Sequence, residues 1–186
     1  FPTRRSSDLN ILAVLIVIIG VAGLSGCDRI YRMIHKEGAE ELDLIGEVRM
    51  HEKNEHVEKI QHRLKLFGYG MGSVDGVLGT NTRNAIERFQ FDNGLKISRF
   101  IDQATWKRLM MFDECGLIMN DEINPYMVQA ALKNAGYDIG TLDGKLGRRS
   151  MDMLKRFQKQ EGLTPDGRIG WKTLNALMRY LPMTGQ

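Results

Sequence analysis

Residues 72–79 read GSVDGVLG, and 68 positions further on residues 140–147 read GTLDGKLG. Asp-Gly is a tight-turn pair: the aspartate bonds nearby backbone amides and the glycine takes the left-handed conformation. Sliding the chain on itself by 68 positions aligns residues 57–109 with 125–177 without a gap. Gln61, Leu64, Gly68, Tyr69, Gly72, Asp75, Gly76, Leu78 and Gly79 fall on Gln129, Leu132, Gly136, Tyr137, Gly140, Asp143, Gly144, Leu146 and Gly147. Downstream, Arg88, Phe89, Gln90, Gly94, Leu95, Ile101, Thr105 and Leu109 fall on Arg156, Phe157, Gln158, Gly162, Leu163, Ile169, Thr173 and Leu177. Roughly a third of the aligned positions are identical, so the chain holds two copies of one module.

Outward from the turn, each copy reads as three short helices. Ile60, Leu64 and Phe67 recur at i, i+4 and i+7 on one face, and the helix stops at Gly68, with Tyr69 placed to fold back on Leu64. Val128, Leu132, Ala135, Gly136 and Tyr137 repeat the device. A second helix carries Ala85, Ile86 and Phe89 and ends at Gly94, with Leu95 covering Phe89; Leu154, Phe157, Gly162 and Leu163 match it. Trp106 and Leu109 mark a third helix, as do Leu174 and Leu177. The expected fold is all-α, with two tandem small three-helix modules at 57–112 and 125–181 joined by an acidic linker at 113–124. A module of about 55 residues lies at the lower edge of independent stability, so two copies docked together are better buried.

The 186 residues are 42% hydrophobic and 26% charged, which excludes a disordered, collagen-like or polytopic membrane chain. A net charge of +3 does not indicate nucleic-acid binding. Cys27 and Cys115 stand far apart with no C-x-x-C, supporting neither a zinc site nor a disulfide framework. Residues 1–9 (FPTRRSSDL) look like translated adapter sequence and are set aside. The apolar run from Ile11 to Ala22 is short of the about 20 residues a membrane span needs and fits the core of a signal peptide over 10–26. Leu24-Ser25-Gly26-Cys27 resembles the bacterial lipobox, whose cysteine thiolate takes a diacylglyceryl group. The alternative is an uncleaved anchor helix with a chance cysteine. On the lipobox reading, residues 27–56 are a lipidated cysteine and tether, with Leu42, Ile45 and Val48 marking partial helix. Fully extended, the stretch from Asp28 to His56 would reach roughly 95–105 Å.

The order Gln-x-x-Leu, Gly-Tyr, Asp-Gly-x-x-Gly, Phe-Gln and Gly-Leu resembles the bacterial peptidoglycan-binding domain often attached to cell-wall hydrolases. Copy one carries it as Gln61, Leu64, Gly68-Tyr69, Asp75-Gly76, Gly79, Thr82, Ala85, Phe89-Gln90 and Gly94-Leu95. Copy two has Gln129, Leu132, Gly136-Tyr137, Asp143-Gly144, Gly147, Phe157-Gln158, Gly162-Leu163, Asp166-Gly167 and Gly170. The late turn, intact from Asp166 to Gly170, is Ser98-Arg99-Phe100-Ile101-Asp102 in copy one, and Thr82 and Ala85 become Ser150 and Met153 in copy two. The resemblance implies a peptidoglycan-binding surface beside the Asp-Gly turns. Its candidate residues are Tyr69, Asp75, Gly76, Arg88 and Gln90 in copy one and Tyr137, Asp143, Gly144, Arg156, Gln158 and Asp166 in copy two. Arg88 and Arg156 are the first choice for carboxylate contacts, while Tyr69 and Tyr137 serve either as sugar-stacking faces or as helix-end packing.

Nine basic against five acidic residues in 57–112, and ten against five in 125–186, make both modules basic. The tether from Asp28 to His56 and the linker from Asp113 to Asn124 are acidic. Basic faces suit a wall polymer whose stem peptides end in carboxylates; solvated helix surfaces are the plain alternative. The string from His51 to His56 misses the H-E-x-x-H spacing of a zinc protease, so no metal or other cofactor is expected. No catalytic residues are expected either. The leading expectation is a non-catalytic protein, lipid-anchored through Cys27 in the cell envelope, whose modules bind peptidoglycan and hold membrane to wall. The alternatives are a helical adaptor recruiting a wall hydrolase or secretion component, and a wall hydrolase.

Overall fold

The structure, a computed structural model, describes residues 36–48 and 52–182. The adapter-like, signal-peptide and lipobox assignments at 1–27 lie outside the described residues, as does His51. Among the described residues the helices are α1 (Lys36–Ile45), α2 (Glu55–Leu66), α3 (Thr80–Asp92) and α4 (Gln103–Glu114). The short strands β1 (Ile118–Met119) and β2 (Glu122–Ile123) follow, then α5 (Pro125–Asn134), α6 (Arg148–Gln160) and α7 (Trp171–Met178). The first module is built on α2, α3 and α4, the second on α5, α6 and α7, and the fold is all-α apart from one minor hairpin.

Each predicted helix stop is present. Gly68 takes φ +93°, the Tyr69 amide donates to Leu64 O at 2.8 Å, and Tyr137 does the same to Leu132 O at 3.0 Å. The Leu95 and Leu163 amides reach back to Gln90 O and Gln158 O at 2.9 and 2.7 Å. Reversal at a left-handed residue returns each chain end over its own helix, so Ile60, Leu64, Ile86, Phe89 and Leu109 bury on one side, as do Val128, Leu132, Leu154, Phe157 and Leu177.

The modules share a core. Trp171, at the first position of α7, inserts into module one, its ring 5.1, 5.0 and 5.0 Å from the centroids of Phe67, Phe89 and Phe112. Its amide donates to Phe67 O at 3.2 Å. Gly170 lies so close that a Cβ there would stand 3.1 Å from Phe67 O. The aligned position in module one is Asp102, whose Oδ1 caps α4 by accepting from the Thr105 amide at 2.7 Å. Gly170→Ala therefore destabilises the chain by about 1–3 kcal/mol through forced separation of the modules. A urea-unfolding comparison with wild type measures it.

Two connectors differ from their sequence reading because their side chains are taken into the core. Residues 113–124, read as an acidic linker, close an antiparallel hairpin through Asn120 and Asp121 at φ +54° and +61°, the conformation of a two-residue hairpin turn. Cys115, Leu117 and Ile118 of this segment are buried. Its acidic residues grip Arg63, which is 2% exposed: Nη2 donates to Asp113 at 3.0 Å and lies 2.9 Å from Asp121 Oδ1. Burial raises the Asp113 pKa, with Arg63 and Lys59 pulling the other way.

Residues 36–48, read as part of the tether, likewise fold onto module one. Glu41 on α1 is fully buried and receives Arg83 Nη1 and Nη2, the latter at 2.9 Å, together with the Ile101 amide at 2.9 Å. Ile45 is buried, and its carbonyl accepts from Asn54 Nδ2 at 2.8 Å. The Asn54 amide in turn donates to Gly76 O at 3.0 Å. Leu42, one of the residues that suggested a helix here, is exposed; Ile45 makes the contact.

Candidate functional site

Four buried glutamines organise the turns. On α2, Gln61 Nε2 donates to Asp75 Oδ1, Val77 O and Thr82 Oγ1 at 2.9, 3.0 and 2.9 Å, while its Oε1 accepts the Asp75 and Gly76 amides. In module two, Gln129 holds Asp143, Lys145 O, Ser150 and the Gly144 amide. The late turns use the same lock: Gln158 donates to Asp166, Arg168 O and Thr173, and accepts from the Gly167 amide at 2.8 Å. Gln90 donates to Ser98, Phe100 O and Thr105. A neutral side chain with two donors and two acceptor lone pairs can satisfy a turn's inward amides and carbonyl at once.

The lock also explains the departed late turn of copy one. Ser98 Oγ stands in for the Asp166 carboxylate, and Arg99 takes the left-handed position of Gly167 at φ +66°. Arg99 is held there by its Nη2 bond to Asn84 at 2.8 Å and by Glu87 at 3.3 Å. The turn survives with a different sequence because Gln90 Oε1 still collects two amides, those of Ser98 and Arg99.

Two concavities open on module one. The larger, about 540 Å3, lies between the Gly68–Gly70 loop and the outer face of α3, and Tyr69, Arg88, Phe91, Asp92 and Ile97 line it. Phe91 and Ile97 are 71% and 52% exposed, an unusual apolar rim for a basic module. The smaller, about 190 Å3, is the groove beside the Asp75 turn, bounded by Met71, Ser73, Asp75 and Asn81.

The candidate residues divide between these places. Tyr69 is 8% exposed, packs edge-on against Phe89 at 5.4 Å and donates its hydroxyl to Asp92 at 3.1 Å; burial raises its pKa strongly. Arg88 lines the same cleft and donates to Gly70 O. Asp75 edges the smaller groove, with Gly76 buried behind it. Gln90 and Gln158 are buried inside the late-turn locks, and Asp143, Gly144 and Asp166 belong to the turns of module two. Tyr137 packs on Phe157 at 5.9 Å and donates to Gln160, while Arg156 is exposed on α6. Cys27 lies outside the described residues. Phe91, Ile97 and Asp92 were missed by the sequence reading, although apolar residues at outward helix positions were a visible signal. Among the described residues no group of three or more His, Cys, Asp and Glu side chains could hold a metal ion.

Asp75 and Asp143 titrate below the usual carboxylate range, first because Gln61 and Gln129 donate to them and then because the Val77 and Lys145 amides do. A lowered folded pKa stabilises the protein above the unfolded value and is lost as pH falls through the folded one. Asn at both positions keeps one acceptor oxygen for the glutamine and the turn amide but removes the linked proton. The double variant Asp75→Asn, Asp143→Asn should lose less stability than wild type between about pH 5 and pH 2, followed as the shift in urea midpoint.

The chain is a tandem repeat of three-helix modules, each built around a glutamine-locked Asp-Gly turn, with an open cleft on the first. The chain belongs to the peptidoglycan binding domain family, whose model matches residues 53–109 and 124–177. It is also similar to the N-acetylmuramoyl-L-alanine amidase CwlM of Mycobacterium tuberculosis, 27% identical over 104 residues that cover 50% of this chain and 25% of that protein. The chain thus spans about a quarter of the length of this curated relative. No solved structure matches it.

Proposed function

We propose that this is a non-catalytic peptidoglycan-binding protein, lipid-anchored at Cys27, that holds a membrane of the cell envelope to the wall. The observation that carries the binding is the open cleft of about 540 Å3 on a module whose family binds peptidoglycan, with Tyr69, Arg88 and Phe91 offering a cation beside apolar surface. The anchor rests on the order of apolar run, small residues and cysteine from Ile11 to Cys27. Among the described residues no helix is long and apolar enough to cross a membrane. With α1 seated on module one, the connection from Cys27 to Lys36 is nine residue steps, at most about 30 Å when extended.

Because the modules share a core through Trp171, they present their surfaces in one fixed arrangement. Gain from two sites then depends on whether the polymer matches that arrangement instead of on linker flexibility. Purified full chain in detergent, mixed with sacculi and centrifuged at low salt, should pellet with them; recovery wholly in the supernatant overturns the reading. Since CwlM is named as an amidase, the same mixture is followed for loss of turbidity, and clearing of the suspension would replace the binding reading by a hydrolytic one.

A further inference from the structure

The helices α3 and α6 are the same element in the two copies, and their solvent faces have diverged. Over its 13 residues α3 carries two basic and two acidic side chains, whereas α6 carries five basic and one acidic. Arg83, one of the two cations of α3, is buried on Glu41, so Arg88 alone remains outward. On α6, Arg148, Arg149, Lys155, Arg156 and Lys159 are all exposed. At 3.6 residues per turn they fall within about a third of the helix circumference and span about 16 Å along it.

The exchanges are position for position. Thr80, Asn81 and Glu87 of copy one correspond to Arg148, Arg149 and Lys155, and the cleft's apolar rim, Phe91 and Ile97, corresponds to Lys159 and Pro165. Arg88 and Arg156 are aligned but differently employed. Arg88 ties down Gly70 O, whereas in copy two Arg149 bonds the equivalent carbonyl, Asp138 O, at 3.1 Å and pairs with the Asp138 carboxylate. Among the described residues, Arg148, Lys155, Arg156 and Lys159 have no carboxylate within ion-pair distance, even though Asp152 sits in the same stripe. The stem of Lys155 is laid over the Asp166 turn: a Cβ on Gly167 would stand 3.1 Å from its Cε.

We propose that the modules take different parts of the wall polymer: the α6 face of module two binds stem-peptide carboxylates, and the module-one cleft takes an uncharged portion of the chain. This deepens the peptidoglycan-binding reading and rests on it. Charge complementarity selects an anionic partner for α6. The missing apolar surface narrows the choice. Its apolar side, through Leu154 and Phe157, is spent on the core, leaving none to enter a lipid interface.

The test compares full-length wild type, the triple variant Lys155→Gln, Arg156→Gln, Lys159→Gln, and Phe91→Ala for sedimentation with sacculi across a salt series. A second wall preparation has its carboxyls converted to amides. Wild type should weaken with salt on native wall. The triple variant should bind about tenfold less tightly at low salt and lose most of the salt dependence. Phe91→Ala should weaken binding with the salt dependence intact. On amidated wall, wild type and triple variant should bind alike. Wild-type binding with unchanged affinity and salt dependence in the triple variant overturns the division while leaving peptidoglycan binding standing. Equal binding of wild type to duplex DNA at the same salt, or a preference for anionic over neutral phospholipid vesicles that the triple variant loses, overturns it as well, and failure of wild type to bind any wall overturns the underlying reading. The three substituted side chains are exposed, so unchanged thermal unfolding of the triple variant confirms that it is folded.

Discussion

Replacing Trp171 with alanine lowers the stability of the folded chain by about 3–5 kcal/mol, the usual cost of emptying a large aromatic from a packed core. The effect is unusual in where it falls. Trp171 belongs to α7 of module two, yet the three rings it touches belong to module one: Phe67 at the end of α2, Phe89 on α3 and Phe112 on α4. Its removal opens the cavity inside one module by cutting a side chain of the other. Module two has less to lose, because its equivalent socket is closed from within: Ala135 stands for Phe67, and Tyr180 stands for Phe112, lying 5.7 Å from Phe157 and bonding Glu161 at 2.9 Å. Urea unfolding of wild type should therefore be one transition. In Trp171→Ala it should separate into two, with module one melting first. A single transition shifted by less than about 1 kcal/mol would show that the shared core does not couple the modules.

Much of the architecture was legible because it rests on local physics. Gly68, Gly94, Gly136 and Gly162 each end a helix with the next residue folded back, and a glycine followed by an apolar residue after a helical run announces that geometry directly. The repeat made every such inference twice. What stayed hidden was long-range. Nothing in the spacing of Gln61 and Asp75 says that one side chain makes five hydrogen bonds, although the same separation recurs at Gln129 and Asp143. The lock becomes evident only when the helix brings the amide over the turn. Trp171 was illegible for a related reason: periodicity places Leu174 and Leu177 on the α7 core face, whereas a residue at the helix start is placed by the approach of the other module. Arg63 and Asp121 entered only as charges in the totals of their segments, and net charge per segment carries no information about which charges fold inward.

The locks also bear on how the two module surfaces came to differ within one chain. Glutamine and threonine or serine occupy the interior of both copies and hold the turn aspartates or serine from within, so the framework is spoken for. The outward positions of α3 and α6 carry no such duty. Substitutions there change the surface without touching the fold, which is why two modules with a common core end with an apolar-rimmed cleft on one and a cationic stripe on the other.

Glu41→Ala is the second large effect, and it separates seating of α1 from stability of the modules. Removing one partner of a buried ion pair costs about 3–5 kcal/mol, because the other charge loses its compensation in a low-dielectric site. Arg83 would keep its bond to Arg99 O at 2.9 Å and its place 4.6 Å over the Phe100 ring, which absorbs part of that cost. The Ile101 amide loses its acceptor in the same substitution. Both losses sit where α1 meets α3 and the start of α4, so the free energy is recovered by releasing α1 and letting water reach Arg83. Hydrogen exchange in residues 38–48 should rise by at least tenfold while protection in α5 and α6 is unchanged, and Glu41→Gln, which keeps an acceptor for Ile101, should fall between the two. If exchange rises equally throughout the chain, α1 is part of the global folding unit instead of a detachable strap. Should it detach alone, the segment joining the modules to Cys27 lengthens from nine residue steps toward the full stretch ending at Asn54, a change in reach from about 30 Å to roughly 90 Å.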